Sequence, residues 1–508
     1  MSPALHPALT RAEPWLARAC CTTGGMAVFA TALCLVFRLP TLALLPAWGD
    51  EVVTIDSLAL PPLELIRERL QHGHAPTYFL LLQALGLDGS SLFLLRLPSA
   101  LADSLGAGLT ALVAARLGGW RAGLALAVVY AAMPILLEEA QDARPYALFF
   151  GCLALLLWSA ALLLDHPRLA GSSWRTAHPL ARRLRQLWLL CGLAAAGAVA
   201  LLPLGLVAVA AVDLAVLWRA RRRSRFLRLW FGQRMLTLLA LAPLLYAYAS
   251  NLGRFAGDYW YPQSLPLLLR TLRIADGAGI EYDPNLFLGY YGNRLLLGLF
   301  LSLVVLGVLW GRRRPSLSLA LALAFGTQAL LLAVSLHTPL YAPRYFAVAT
   351  PALALLAALG LAALWQRRRR LALLAGLSLA LLLSLQSLDA MQQLGKPRLD
   401  RAVARLREAG VEQLGFFAPS EHLAGSVRYS LKDGPEGQRL AAGEVLAAAA
   451  DGLLVWVVEV RRVPRYWRLG VAIAGLARCS PKVRGLHILA IARVPEDLAA
   501  SCPRSPTP

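Results

Sequence analysis

Two adjacent carboxylates, Asp50 and Glu51, stand where the first long apolar segment of the chain ends. At such a water boundary a carboxylate is partly desolvated, which moves it toward the range of a useful general base. An acidic pair on its own is more often a solvated loop feature, so its meaning depends on what else reaches the same face. The groups that do so are His72 and His74, Asp142 with Arg144, and Arg344. One carboxylate can take a proton from an acceptor hydroxyl while two guanidiniums grip a phosphate leaving group with paired donors. That combination suits transfer of a group from a lipid phosphate, since phosphate departs without a general acid. His74, just before Ala75-Pro76, can bond a phosphate or a substrate hydroxyl, or simply serve a turn. Glu138 and Glu139 can join the acidic cluster; Asp142 is preferred because it stands two residues before Arg144. Arg144 and Arg344 compete with a plainer role as interface anchors, as do Arg38 and Arg96 at similar depth.

The elements that must position these groups are membrane helices. A chain of 508 residues that is 58% hydrophobic, with apolar runs far longer than a soluble core needs, belongs to the polytopic membrane class. Its net charge of +21 does not form one basic face, which excludes a nucleic-acid partner; the arginines fall in short clusters between apolar runs, as topology signals do. Spans of about 20 residues and alternating Arg clusters together predict eleven crossings with the amino end inside. Span 1 covers about 25–46 and is read as retained, not as a cleaved leader. Later spans fall near 97–116, 121–137, 146–164, 187–201, 203–218, 233–250, 293–310 and 316–336, then one that ends at the arginines 367–370, and 371–388. The stretch 76–87 is short for a span. If it crossed, every later Arg cluster would lie outside, so it is expected in the outer interface.

Asp50, Asp142 and Arg344 thereby share the outer face, together with an aromatic loop at 255–291 suited to headgroup depth. Beyond about residue 392 the apolar runs give way to strand-like segments at 414–417, 453–458 and 486–492, alternating with helical stretches near 420–431 and 464–478. The expected organisation is a transmembrane region, 1–390, followed by a small soluble α/β domain, 391–508, on the outer surface. The seven cysteines show no metal-ligand spacing, and Cys479 and Cys502 are candidates for a bond in the exported domain.

The segments Trp48-Gly49-Asp50-Glu51, His74-Ala75-Pro76-Thr77-Tyr78-Phe79, Leu95-Arg96-Leu97-Pro98-Ser99 and Gln141-Asp142-Ala143-Arg144-Pro145-Tyr146 carry a resemblance. They resemble the bacterial relatives of protein O-mannosyltransferases and aminoarabinose transferases, GT-C glycosyltransferases of families 39 and 83. The similarity covers about 25–365 and returns at Pro343-Arg344-Tyr345-Phe346. It implies an all-α GT-C membrane fold, a polyprenyl-phosphate-linked sugar donor and an inverting transfer on the outer face. It further implies Asp50 as base with Glu51 beside it, Asp142 in the second outer loop, and Arg144 as the matching arginine. Two departures stand out. Ala75 replaces the first proline of the family's His-Pro-Pro, and the hairpin between spans 5 and 6 lacks the family's polar Thr-His pair.

The reading that follows is a bacterial inner-membrane enzyme with a cytoplasmic amino terminus and a periplasmic carboxyl-terminal domain. It would move one sugar from a polyprenyl phosphate to a hydroxyl on a lipid, glycan or protein. Arg144, Arg344 and His74 would hold the donor phosphate. Asp50 and Asp142 are compatible both with a divalent cation bridging the donor and with a metal-free site. A phospho-headgroup transferase would use the same arginines. A flippase of a lipid-linked sugar would place charges at mid-membrane in facing repeats, whereas the acids here gather at one face, with Asp213, near an inner end, the lone exception. A non-catalytic scaffold subunit is the remaining alternative.

Overall fold

The computed structural model describes residues 23–165, 179–257 and, apart from Arg313, 289–336 and 343–393, with most of 399–460 and short strands within 477–491. Most of the aromatic loop 255–291, the segment 337–342 and Cys502 lie outside the described residues.

The chain begins with helix α1 (Thr23–Arg38), followed by three short helices, α2 (Gly49–Leu58), α3 (Pro62–Gln71) and α4 (Thr77–Ala84). The single polar helix expected near 52–70 is thus two. Pro61 and Pro62 explain the break, because a proline lacks the N–H that a continuing helix needs but fits the first turn of a new one. With eight residues α4 is roughly 12 Å long, too short to cross a bilayer. Long apolar helices follow: α5 (Leu92–Gly118), α6 (Trp120–Ala132) with α7 (Pro134–Ala140), α8 (Tyr146–Asp165), α9 (Pro179–Leu201) and α10 (Leu204–Ala220). Then come α11 (Ser224–Ala240) with α12 (Ala242–Gly257), α13 (Gly289–Gly311) and α14 (Leu317–Ser335), the last carrying a π-turn at Ala322–Gly326. A short helical turn, α15 (Pro343–Phe346), leads into α16 (Thr350–Arg367) and α17 (Arg369–Gln393).

Among the described residues eight helices are long and apolar enough to cross a membrane, or up to ten if each of two bent pairs is one span. The bent pairs are α6 with α7, at 65°, and α11 with α12, at 66°. The eleventh expected crossing, 203–218, is α10, a helix of 17 residues. The helices pack closely where side chains are smallest. A Cβ on Gly307 of α13 would run into the Leu356 carbonyl oxygen, and one on Gly360 of α16 into that of Leu303, so the two backbones touch as small residues permit. Helix α16 is the most enclosed, with 94% of its span buried inside the protein.

The chain divides into two compact units. The first comprises 1–40, 61–86 and 96–391 and holds the long helices. The second joins 41–60 and 87–95 to 392–508. In it α18 (Leu399–Glu408), α19 (Glu421–Leu431) and α20 (Val445–Ala450) alternate with a six-stranded sheet of order β2-β1-β3-β6-β4, β5 pairing with β6. The strands are β1 (Gln413–Phe417), β2 (Glu436–Arg439), β3 (Val455–Val460), β4 (Ala477–Cys479), β5 (Lys482–Val483) and β6 (Leu486–Ile491). β1 runs parallel to β2 and β3, with Gly415 opposite Val455, and β6 runs antiparallel to β3. One core joins Leu399, Val403 and Leu406 of α18 to Leu414 and Phe416 of β1, Val427 of α19 and Trp456 of β3. The three expected strands and the helix at 420–431 are present. The stretch 464–478 lies mostly outside the described residues, and its last part, from Ala477, is strand.

Candidate active site

In the second unit Asp50 and Glu51 occupy the first turn of α2, where exposed N–H groups favour negative charge. Their side chains part company. Glu51 turns back so that its Oε2 accepts the Trp48 N–H at 3.4 Å, and it is wholly buried. Asp50 is only half-buried, with its own carbonyl accepting the Thr54 hydroxyl at 3.1 Å. Glu51 therefore completes the helix start, and Asp50 is the more accessible acid of the pair.

Helix α2 is seated on the soluble domain. A Cβ built on Gly425 of α19 would lie 3.1 Å from Val52 Cγ1, and Gly89 approaches Ile55 as tightly from the 87–95 segment. Gly89 also has φ +83°, a backbone setting that other residues adopt poorly. The neighbouring Asp88 accepts the Ser90 N–H at 2.9 Å, which together with the charge of Lys432 holds its carboxyl below the usual carboxylate range. Gly425→Val should displace Val52 and the acid beside it. The expected result is a several-fold lower turnover with an unchanged affinity for lipid phosphate, read by single-turnover assay beside a binding isotherm. Wild-type turnover in that variant would separate α19 from the site.

In the first unit a tight turn joins α7 to α8. Glu139, Gln141, Asp142 and Arg144 are all buried there, each with no more than 6% exposure, and Glu138 is half-buried. Three ionisable groups so enclosed need partners or a charged ligand. The turn is tied to the hairpin of α3 and α4. The Tyr78 and Ser99 hydroxyls bond at 3.1 Å, and Ser99 also donates to the Arg144 carbonyl at 3.4 Å. The charges of Arg144, Arg344 and Glu139, with the hydroxyl of Tyr345, all reach the Tyr146 hydroxyl. Two arginines 200 residues apart in sequence are therefore near enough to act electrostatically on one hydroxyl. His74 is half-buried at the turn before α4, its N–H donating to the Arg69 carbonyl at 2.8 Å. His72 is exposed, and its Nδ1 pairs with the Glu68 carbonyl at 2.9 Å on its own helix.

From sequence Glu139 ranks behind Asp142, and Tyr146 and Tyr345 carry no role, yet both acids are buried in the turn. The signal for the two tyrosines is their place one or two residues after Arg344 and Arg144. The sequence also groups Arg38 and Arg96 with lipid-interface anchors, and this is corrected: both are sealed inside the protein. Arg38 pairs with Asp103 of α5, a mid-helix acid to be added to Asp213, which in turn pairs with Arg234 of α11 at 2.9 Å. Among the described residues no group of three or more His, Cys, Asp or Glu could hold a metal ion.

No family model matches the chain. No curated protein matches it either. Solved structures do. ArnT from Cupriavidus metallidurans in the apo state is similar over 92% of this chain and 98% of its own, at 15% identity and a TM-score of 0.52. The same protein bound to undecaprenyl phosphate gives 16% identity and an equal TM-score. The archaeal oligosaccharyltransferase AglB from Archaeoglobus fulgidus, in complex with an inhibitory peptide and a dolichol-phosphate, matches 94% of this chain and 76% of its own at 12% identity and a TM-score of 0.50. The chain thus has the GT-C fold, a polytopic helical membrane region with a small carboxyl-terminal α/β part, as the resemblance in its motifs implied.

Proposed function

We propose that this protein is an inverting membrane glycosyltransferase that moves a sugar from a polyprenyl phosphate to an acceptor hydroxyl on the periplasmic face of the bacterial inner membrane. The observation that carries this reading is that Arg144, from the turn of buried acids Glu139 and Asp142, and Arg344, some 200 residues on, both act electrostatically on the Tyr146 hydroxyl. A phosphate there would meet two planar donor forks in a poorly solvated setting. The structural neighbour described with undecaprenyl phosphate supports the same ligand class. In the proposed step the acceptor oxygen attacks the anomeric carbon from the face opposite the phosphate. Its proton passes to Asp50, and the bond from the anomeric carbon to the phosphate oxygen breaks. Arg144, Arg344 and His74 stabilise the departing polyprenyl phosphate. Glu51 holds the first turn of α2, and Asp142 completes the acidic side of the site. Asp50 or Asp142 would be the carboxylate to hold a divalent cation, which would add charge neutralisation, and no step depends on it.

The test is direct. Protein in nanodiscs is incubated with a panel of radiolabelled undecaprenyl-phosphate hexoses and pentoses and an envelope extract as acceptor. Release of undecaprenyl phosphate with inverted linkage in the product is expected for one donor. Movement of intact donor across the bilayer without release would favour a flippase, and transfer of sugar with its phosphate would favour a headgroup transferase. Mass spectrometry of envelope lipids and glycans from a deletion strain would identify the acceptor.

The orientation rests on the Arg clusters and carries its own prediction. Cysteines introduced at Ser90 and at Arg121, in separate variants, should label from the periplasm and the cytoplasm respectively. Periplasmic labelling of both would mean that the α3–α4 region contains a further crossing.

A further inference from the structure

The most enclosed ion pair in the helical unit lies outside the proposed site. Arg38 ends α1 and Asp103 sits in the middle of α5; neither side chain has any exposure, and Arg38 Nε donates to Asp103 Oδ2 at 2.7 Å. The other carboxylate oxygen accepts the Tyr130 hydroxyl at 3.1 Å. A buried pair of this kind contributes little net stability, and apolar residues of similar size often serve as well. Its surroundings suggest another use. Pro134 stops α6 because it has no N–H to give the Tyr130 carbonyl, which keeps only the Met133 N–H at 3.3 Å from its own helix, and the 65° bend that follows strands the next carbonyls. Within a membrane such carbonyls must find donors inside the protein. Arg38 Nη1 donates to the Ala131 carbonyl at 3.0 Å and Nη2 to that of Tyr130 at 3.5 Å, while the Ser387 hydroxyl of α17 serves Ala132 at 2.7 Å. At the far end of α7 the Gln141 side-chain amide donates to the backbone carbonyl of Arg38 at 3.5 Å. One arginine thus touches the bend at its start through its side chain and at its end through its main chain.

Resting on the function proposed above, we infer that the Arg38–Asp103–Tyr130 network is a positioning device, which fixes the α6–α7 bend and so sets Glu139, Asp142 and Arg144 for transfer. Asp103 aims the guanidinium, Tyr130 aims Asp103, and the guanidinium serves the Ala131 carbonyl freed by the bend and adds a second donor to that of Tyr130. The device touches no substrate.

Two variants separate this from plain structural support. Arg38→Lys keeps the charge paired with Asp103 but has one nitrogen, which cannot also reach two carbonyls. Arg38→Met with Asp103→Leu removes both charges together and leaves an apolar core of similar volume. Both should melt close to the parent. Both should show faster hydrogen exchange confined to the peptide 131–146, and a kcat lower by about 10-fold or more, the usual scale for a slightly misplaced catalytic group. Binding of undecaprenyl phosphate should be less affected than kcat. Exchange is read whether or not sugar is moved, so an inactive parent would retire the proposed reaction while still testing the bend. Wild-type kcat in either variant, or faster exchange spread over all helices, would overturn the inference. Tyr130→Phe removes one hydroxyl only and folds most easily. It should shift exchange and kcat in the same direction by less, and no shift there would count against the network even if the other variants do not assemble.

Discussion

Asp50→Asn is expected to slow sugar transfer by about 10²-fold or more while leaving the binding of undecaprenyl phosphate unchanged, because it removes basicity and keeps size and hydrogen bonding. The neighbouring acid supplies the control. Glu51 is wholly buried with its carboxylate turned onto the Trp48 N–H, so Glu51→Gln retains an acceptor there and should lose far less activity. Glu51→Ala removes the acceptor and should instead lower thermal stability, by about 1 kcal/mol for a lost helix-start contact. The proposed step assigns the catalytic effect to Asp50, and the helix-start contact assigns the structural one to Glu51. Single-turnover transfer with donor binding measured separately decides it. An Asp50→Asn protein that binds donor and transfers at the parental rate would return Asp50 to an ordinary helix-start acid.

Legibility in the sequence followed the strength of the local signal. Long apolar runs bounded by arginines announce membrane helices, because the bilayer sets both their length and the placement of charge. The middles of the helical segments were therefore readable, while ends such as that of α1, at Arg38 and not near 46, were not. The bends were not, since a helix followed by Met133-Pro134 and one followed by Leu241-Ala242-Pro243 have the same average polarity as a straight span. Asp50, Arg144 and Arg344 could be picked out because ionisable groups beside apolar runs are few. That Glu51 caps its own helix depends on a side-chain rotamer, and that Gly425 supports Val52 depends on a contact some 370 positions away in the chain. Arg38 shows the same limit from the other side. Near the end of a span it reads as an arginine reaching for the headgroups, yet its partner Asp103 lies 65 residues on, and only packing brings them together. The strands β2, β4 and β5 escaped notice because they are short or lack apolar alternation; β2 is exposed along its whole length.

Arg144→Lys and Arg344→Lys should each weaken binding of undecaprenyl phosphate by about tenfold, the equivalent of one lost charge-assisted hydrogen bond. Lysine preserves the charge, so a loss would report the planar two-donor fork and not simple attraction. The expectation differs between the two positions in one respect. Arg144 is buried with Asp142 and Glu139 in a turn whose backbone is bonded to Ser99, whereas Arg344 stands half-buried on the short helix before α16. Substitution at Arg144 should therefore also disturb the acids beside it and reduce turnover at saturating donor, while Arg344→Lys should act on donor affinity with turnover nearly preserved. Because both arginines act on the same hydroxyl, that of Tyr146, their effects should not add: the double Lys variant should bind more weakly than either single one, yet by less than the product of the two losses. Additive losses would mean that the two side chains act on different parts of the ligand. Unchanged affinity in both single variants would leave them as supports of the turn and remove the phosphate from this corner of the fold.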